Sequence, residues 1–224
     1  MATPQLEKTR IHNTWPVARE GVPFILSGCL LSILAYALGV VPVAVLLGAL
    51  TLFTVYFFRD PERRSTPEEN AVVAPADGKC LQVKVLEGAD TPIGEPAVLV
   101  SIFMSLFSVH VNRIPVSGDI TEITYHPGKF FSANLDKASR ENENNRVMMH
   151  TAQGHKIVFF QIAGLIARRI ACWIQEGDRV RTGQRFGLIR FGSRMDLYLP
   201  RDSNIIVIPG SMVKAGITVV GYLP

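Results

Sequence analysis

Charge is missing from one long stretch of this chain. Between Val22 and Phe58 there is no Asp, Glu, Lys or Arg. Cysteine is scarce as well: Cys29, Cys80 and Cys172 are odd in number and far apart, with no CxxC or Cys/His spacing. That pattern excludes a disulfide framework and gives no ligand set for zinc. It fits reduced, structural thiols in a cytosol-facing protein. No cluster of basic and aromatic residues of the RNA-binding kind is present, so nucleic acid is not an expected partner. Charged residues make up 19% of the 224 positions, and the net charge is only +4. Such a mild excess suits anionic lipid headgroups but decides little by itself.

What is present divides at the end of the uncharged run. The run is too long for one straight membrane helix, which needs about 20 residues, and short for two. Gly39 and Pro42 lie near its middle, where a turn would fall. Lys8, Arg10 and Arg19 precede it, and Arg59, Arg63 and Arg64 follow it. Basic residues on both flanks favour a hairpin with both ends on the cytoplasmic side, either as two thin spans or as a re-entrant wedge. A cleaved signal peptide fits badly, because the run is long and starts late. A buried helix pair in a soluble core would show a polar stripe, and Leu, Val, Ile and Ala occupy all faces here.

Beyond the polar linker at 65–70 the texture becomes β. Short runs rich in branched residues, such as Leu81–Val85, Ala97–Ile102, Lys156–Phe160 and Ile205–Ile208, are punctuated by Gly and Pro. The expectation is a mostly β domain over 65–224, a sandwich or barrel, preceded by an N-terminal segment, 1–64, that forms the helical hairpin. The stretch from Gln175 to Gly187 places Gly-Asp and Gly-Gln at paired turns, which resembles the hammerhead of lipoyl domains. No lysine sits at a hairpin tip as a carrier domain would require. The polar segment from Asn134 to Arg146 is poor in β-formers and is expected to be a loop or short exposed helix.

Three short stretches carry candidate chemistry: Pro75-Ala76-Asp77-Gly78; Phe107 to Pro115, with His110, Asn112 and Arg113; and Arg190 to Asp196, with Gly192-Ser193. Taken singly, each is an ordinary turn or strand. In a strand, His110 and Asn112 share one face and Arg113 takes the other. With the stretches 103–118, 125–130, 134–146 and 166–200 they resemble the phosphatidylserine decarboxylase family, and its shorter branch in particular. The resemblance runs over nearly all of 59–224 and keeps the family's order of motifs.

The resemblance implies a self-cleaving, pyruvoyl-dependent carboxy-lyase. Ser193 attacks the Gly192 carbonyl, and the chain separates into a β chain, 1–192, and an α chain, 193–224, whose first residue becomes the covalent pyruvoyl cofactor. That group forms a Schiff base with phosphatidylserine and releases phosphatidylethanolamine and CO2, with no metal required. Asp77 is implied in self-cleavage and His110 in decarboxylation and protonation. The longer branch has a second histidine where this chain has Arg113. Either His110 then serves both steps or Asp77 acts more directly, and Arg113 is a candidate for binding the substrate anion. The implied partners are membrane lipids and the α and β chains of one precursor, whose heterodimer is compatible with a higher oligomer. The implied location is the cytoplasmic face of the cell membrane. The same residues would serve an archaetidylserine-type lipid, and a non-enzymatic membrane adaptor with a lipoyl-like domain is the alternative of a different class.

Overall fold

The computed structural model describes residues 7–8, 16–64, 68–88, 90–129, 131–132, 141–164, 170–190 and 192–224. The chain divides into two compact units, His12–Glu62 and Arg63–Pro224, the second also taking in Met1–Ile11.

The first unit is the expected helical hairpin. A 3-10 turn, Arg19–Gly21, leads into α1 (Val22–Ala37), and α2 (Val41–Phe57) follows after a turn through Gly39 at φ +77°. Pro23 and Pro42 stand in the first turns of the helices, where a missing N–H costs no helical hydrogen bond. Small residues form the seam. Ser32 Oγ donates to the Ala44 carbonyl at 2.8 Å, and a Cβ on Gly28 would lie 2.3 Å from Thr51 Oγ1. Close approach through small residues is how helices associate where the surroundings are as apolar as the side chains. The large residues point outward: Leu26, Leu30, Ile33, Val45 and Leu52 are exposed, and α1 buries nothing. At the base, Ala18 N–H donates to Phe58 O and Asp60 N–H to Pro16 O, each at 2.7 Å, so the two ends leave together. Among the described residues one helix, Arg19–Ala37, is long and apolar enough to cross a membrane. At about 1.5 Å per residue, α2, with 17 residues, falls somewhat short of a hydrocarbon core of about 30 Å.

The second unit is β throughout. Its strands are β1 (Glu7–Lys8), β2 (Ala71–Val73), β3 (Gly78–Leu86), β4 (Ala97–Met104), β5 (Val111–Arg113), β6 (Gly118–His126), β7 (Asn144–His150) and β8 (Lys156–Ile162). They continue with β9 (Ile170–Cys172), β10 (Arg179–Val180), β11 (Arg185–Ile189), β12 (Ser193–Pro200), β13 (Asn204–Ile205), β14 (Met212–Val213) and β15 (Val219–Tyr222). Eight strands make a curled antiparallel sheet in the order β10-β6-β7-β8-β12-β4-β3-β14. A four-stranded sheet, β1-β9-β11-β5, and a three-stranded one, β13-β15-β2, complete the unit. One buried cluster joins strands of all three sheets through Met104, Phe159, Met195, Ile170, Phe186 and Val220. Phe159 and Phe186 meet edge to face across the two larger sheets, with ring centroids 5.0 Å apart. The paired turns at Gly177 (φ +85°) and Gly183 (φ +77°) bracket β10, and their N–H groups donate to Ile120 O and Ile114 O. Only glycine takes that left-handed backbone without cost.

Two local expectations need correction. Of the run Ile205–Ile208 only Ile205 lies in a strand; Ile206 and Ile208 are exposed at 51% and 68%, because the chain bends away toward the turn at Gly210. The polar segment does not stay a loop either: Asn144–Arg146 open β7, and Asn142 to Asn145 are buried. Strand pairing wins over composition there because the buried amide nitrogens of Asn142, Asn144 and Asn145 each find an acceptor; Asn145 Nδ2 donates to Gln161 Oε1 at 2.9 Å. Positions 134–140 of that segment lie outside the described residues, as do 165–169.

The helical seam is testable. Gly28→Leu should force the arms apart and speed amide exchange in both helices in detergent micelles. Leu30→Ala on the exposed face should leave exchange unchanged.

Candidate active site

Ser193 is the first residue of β12, and β12 lies in the interior of the large sheet, paired with β8 on one side and β4 on the other. Its side chain is fully buried and sits opposite Met104, whose Sδ is 3.8 Å from Ser193 Oγ. Between Ile189 and Ser193 the chain passes from the four-stranded sheet to the eight-stranded one. Gly192, at this corner, has φ +63°, and nothing lies within 4 Å of where its Cβ would be. The corner therefore favours glycine for backbone conformation and not for want of space.

The remaining candidates fall into two groups. His110 directly precedes β5 and is fully buried; its carbonyl accepts the Ile189 N–H at 3.4 Å, which ties it to the strand leading into the corner. Asp77 and Arg113 gather instead around residues 215 and 216. Both Asp77 oxygens accept from the Arg63 guanidinium, at 2.5 and 2.8 Å, and Oδ1 also accepts the Ala215 N–H at 2.8 Å. Arg63 Nη1 donates in addition to the Ala215 carbonyl at 2.8 Å. Arg113 is 3% exposed; its Nη1 donates to Gly183 O at 2.9 Å, and its Cδ packs where a Cβ on Gly216 would fall. The ladder pairs Ser193 with Met104 and Lys79 with Phe103, so Asp77 adjoins the strand beyond β4. Two strand spacings, roughly 10 Å, separate its backbone from that of Ser193.

Other polar residues at the site were not assigned a role from sequence. Asn112, Gln161 and Asn145 are fully buried and hydrogen-bonded in series. Their signal was an isolated amide at an inward position of an otherwise apolar strand. Arg63 lies in a charged run, where nothing singles it out. On the face of β12 away from Ser193, Arg194 and Asp196 form a buried bidentate pair at 2.5 and 2.8 Å, and Arg194 Nη2 also donates to Ser101 Oγ at 3.1 Å. Their i, i+2 spacing in a strand is the sequence signal. Tyr125, in the 125–130 motif, has its hydroxyl pushed up to about 12 by burial and by the Glu143 carboxylate beside it. It stays a neutral donor across the physiological range.

Residues 50–221 match the protein-family model described as phosphatidylserine decarboxylase. Among curated proteins, the chain is 49% identical over 201 residues to the phosphatidylserine decarboxylase proenzyme of Syntrophus aciditrophicus, covering 89% of this chain and 94% of that one. It is 48% identical over 210 residues to the proenzyme of the same name from Magnetococcus marinus, covering 92% and 95%. With that of Geobacter metallireducens it shares 46% over 220 residues, covering 96% and 100%. The chain belongs to the phosphatidylserine decarboxylase family.

The corner at Gly192 gives a stability expectation. In a Ser193→Ala background, Gly192→Ala should cost about 1–2 kcal/mol for a left-handed residue bearing a Cβ. Urea unfolding of the two proteins measures the difference. A loss below a few tenths would show that the corner relaxes.

Proposed function

We propose that the chain is a phosphatidylserine decarboxylase made as a precursor that cuts itself between Gly192 and Ser193. The observation that carries this is the junction itself: a buried serine hydroxyl at the head of an interior strand, directly after a left-handed glycine. A serine hydroxyl is a weak nucleophile until a base takes its proton. In the proposed step Ser193 Oγ bonds to the Gly192 carbonyl carbon and the Gly192–Ser193 C–N bond breaks, leaving an ester on oxygen and an amine on residue 193. Loss of the residue 193 Cα proton to a base then expels the Gly192 carboxylate from Cβ. Water displaces the nitrogen as ammonia. The products are a β chain, 1–192, and an α chain, 193–224, that begins with a pyruvoyl group and stays bound to the β chain as a heterodimer.

The residues present fit such a group. Position 193 is shielded from water, at the end of an interior strand, with Met104 Sδ beside its hydroxyl and Asn112 Nδ2 at 3.5 Å from the same sulfur. A pyruvoyl group at position 193 would supply an electron sink for the electrons left on the lipid when CO2 departs. The chain's own residues do the rest. We assign His110 to protonating the carbon that loses its carboxylate, and Asp77, fixed by Arg63 and Ala215, to the self-cleavage apparatus. Arg113 is assigned to the substrate anion, although its contact with Gly183 and its burial also support an anchoring part. The apolar hairpin with basic residues at both ends supports attachment to the cytoplasmic face of the membrane, where the substrate resides.

Intact mass spectrometry tests the cleavage. Wild type should give two chains, the smaller with a blocked N-terminus, and Ser193→Ala should give one. A Ser193→Ala protein that still splits at this bond would refute the reading. Alongside it, Asp77→Asn should accumulate uncut chain, and His110→Ala should mature at least partly but lose CO2 release by about 10²-fold or more. Arg113→Ala should cleave and use substrate poorly; uncut but folded Arg113→Ala would place this arginine in maturation instead.

A second expectation concerns the membrane. Deleting residues 1–58 removes the exposed apolar surface and should release active protein from vesicles of mixed phosphatidylethanolamine and phosphatidylglycerol. A truncated protein that sediments with vesicles in high salt would locate the anchor elsewhere.

A further inference from the structure

Three buried side-chain amides run from the middle of the large sheet to Met104, the residue opposite Ser193, and all three point the same way. Asn145 Nδ2 donates to Gln161 Oε1 at 2.9 Å, and Gln161 Nε2 donates to Asn112 Oδ1 at 2.9 Å. Asn112 Nδ2 then faces Met104 Sδ at 3.5 Å, the same sulfur that lies 3.8 Å from Ser193 Oγ. The direction of the series is fixed by the backbone. Gln161 Nε2 also lies 3.4 Å from the Ala171 carbonyl, so the nitrogen and not the oxygen must occupy that end of the amide. Asn112 has to offer its oxygen to Gln161, which leaves its N–H groups on the side of Met104 Sδ, the sulfur that also lies beside Ser193 Oγ.

The neighbouring chain makes room for this series. Gly187 pairs with Asn112 in the β11–β5 ladder, and a Cβ there would lie 2.7 Å from Gln161 Nε2. The amide of one sheet reaches the other over this glycine. All three side chains are fully buried, so the series is shielded from water. In such surroundings aligned hydrogen bonds polarise one another, and the donor at the end is strengthened. Its acceptor in the uncut chain is a thioether, which accepts only weakly. A buried donor set against so weak an acceptor gains most when an oxygen bearing negative charge appears beside it.

We propose that Asn112, oriented by Gln161 and Asn145, is a hydrogen-bond donor that stabilises the negative charge developing at the Gly192–Ser193 junction during self-cleavage. The charge arises when Ser193 Oγ adds to the Gly192 carbonyl, whose oxygen takes up the π electrons and returns them as the C–N bond breaks. Donors aimed in advance at such an oxygen act most strongly where water is excluded. Met104 is the neighbour both groups share and holds the donor in place until then. The inference rests on the proposed cleavage and assigns a function to three residues that the cleavage scheme alone leaves unexplained.

Two substitutions separate this function from packing. Asn112→Asp keeps the shape and the bond from Gln161 but turns a carboxylate oxygen toward the junction. Gln161→Glu does not touch Ser193; it accepts from both neighbours, so the Asn112 amide must turn over and present its oxygen. Both folded precursors, checked by near-UV circular dichroism, should cleave about 10²-fold more slowly at neutral pH, as expected for losing one oxyanion donor. Precursor and product bands on a denaturing gel give the rate. Lowering the pH should speed Asn112→Asp relative to wild type, because the introduced carboxyl regains a proton to donate. Wild type measured over the same range is the control for every other effect of pH on the rate. Wild-type rates in either folded variant would overturn the proposal, and so would an Asn112→Asp rate that stays in constant proportion to wild type at every pH. Either variant decides alone if the other does not fold. Failure of wild type to cleave at all would instead remove the proposed cleavage on which this rests.

Discussion

Everything near the junction depends on β12 being held on both edges. From Ser193 to Pro200 it pairs continuously with β4, and from Arg194 to Tyr198 it pairs with β8 as well. The C-terminal strands beyond it are interleaved with earlier ones: β14 pairs with β3, and β15 with β2. A chain cut before Ser193 would therefore keep its last segment by backbone hydrogen bonds in two sheets and by the side chains of the common core. Met195, Leu197 and Leu199 of β12 are fully buried in that core. No linker is needed to keep the two pieces together, and the new N-terminus would start at the edge of a rigid ladder. A reactive group gains from such placement, since small displacements from the productive geometry cost large factors in rate.

The opposite face of β12 carries a different constraint. Arg194 and Asp196 are each 1% exposed and bind one another through two hydrogen bonds. Burying two charges is expensive, and the attraction between them offsets that cost only when the geometry is good and spare donors are satisfied. Here Ser101 takes one such donor, and Gln82 Nε2 lies 3.3 Å from the same hydroxyl. The pair fixes the register of β12 against β4 and β3, because a slip of one residue would move both charges to the core face. Ser193 thus owes its position opposite Met104 partly to charges that never meet it.

Much of this was legible in the sequence, and the exceptions have a common cause. The uncharged run, with Gly39 and Pro42 midway, was enough for the hairpin, since apolar length and turn residues are local properties. The β texture and the glycine turns at 177 and 183 were legible for the same reason. What the sequence hid were pairings across the fold. Asn144–Arg146 looked like a loop because polar residues rarely line a buried strand. They do so here because Asn145 meets Gln161, 16 positions away. Arg63 could not be told from Arg59 or Arg64 until the β unit brought Asp77 to it. Alternation along β5 did place Arg113 and Asn112 on opposite sides. It could not say that one side would meet Gly183 and Gly216 and the other Gln161 and Met104.

The corner between the sheets is where the proposed cut would disturb the fold least. A bond inside β12 would be shielded by two ladders, and breaking it would strain the sheet. A bond in an exposed loop would lack buried groups to act on it. Between Ile189 and Ser193 the chain leaves one sheet and joins the other, so its ends can separate without disturbing either ladder. The two sheets remain joined around that corner by Phe159 on Phe186 and by Gln161 on Asn112. The apolar contact supplies cohesion. The amide contact is directional, and the series ends on Met104, opposite Ser193 in the ladder. A bridge built only for stability would be better made from apolar groups, because buried amides cost free energy unless every donor and acceptor is matched. Asn112 leaves its last donor on a thioether and Asn145 leaves a buried oxygen without a hydrogen-bond partner. The cleavage proposed at Ser193 would give this imperfect series a use that packing alone does not.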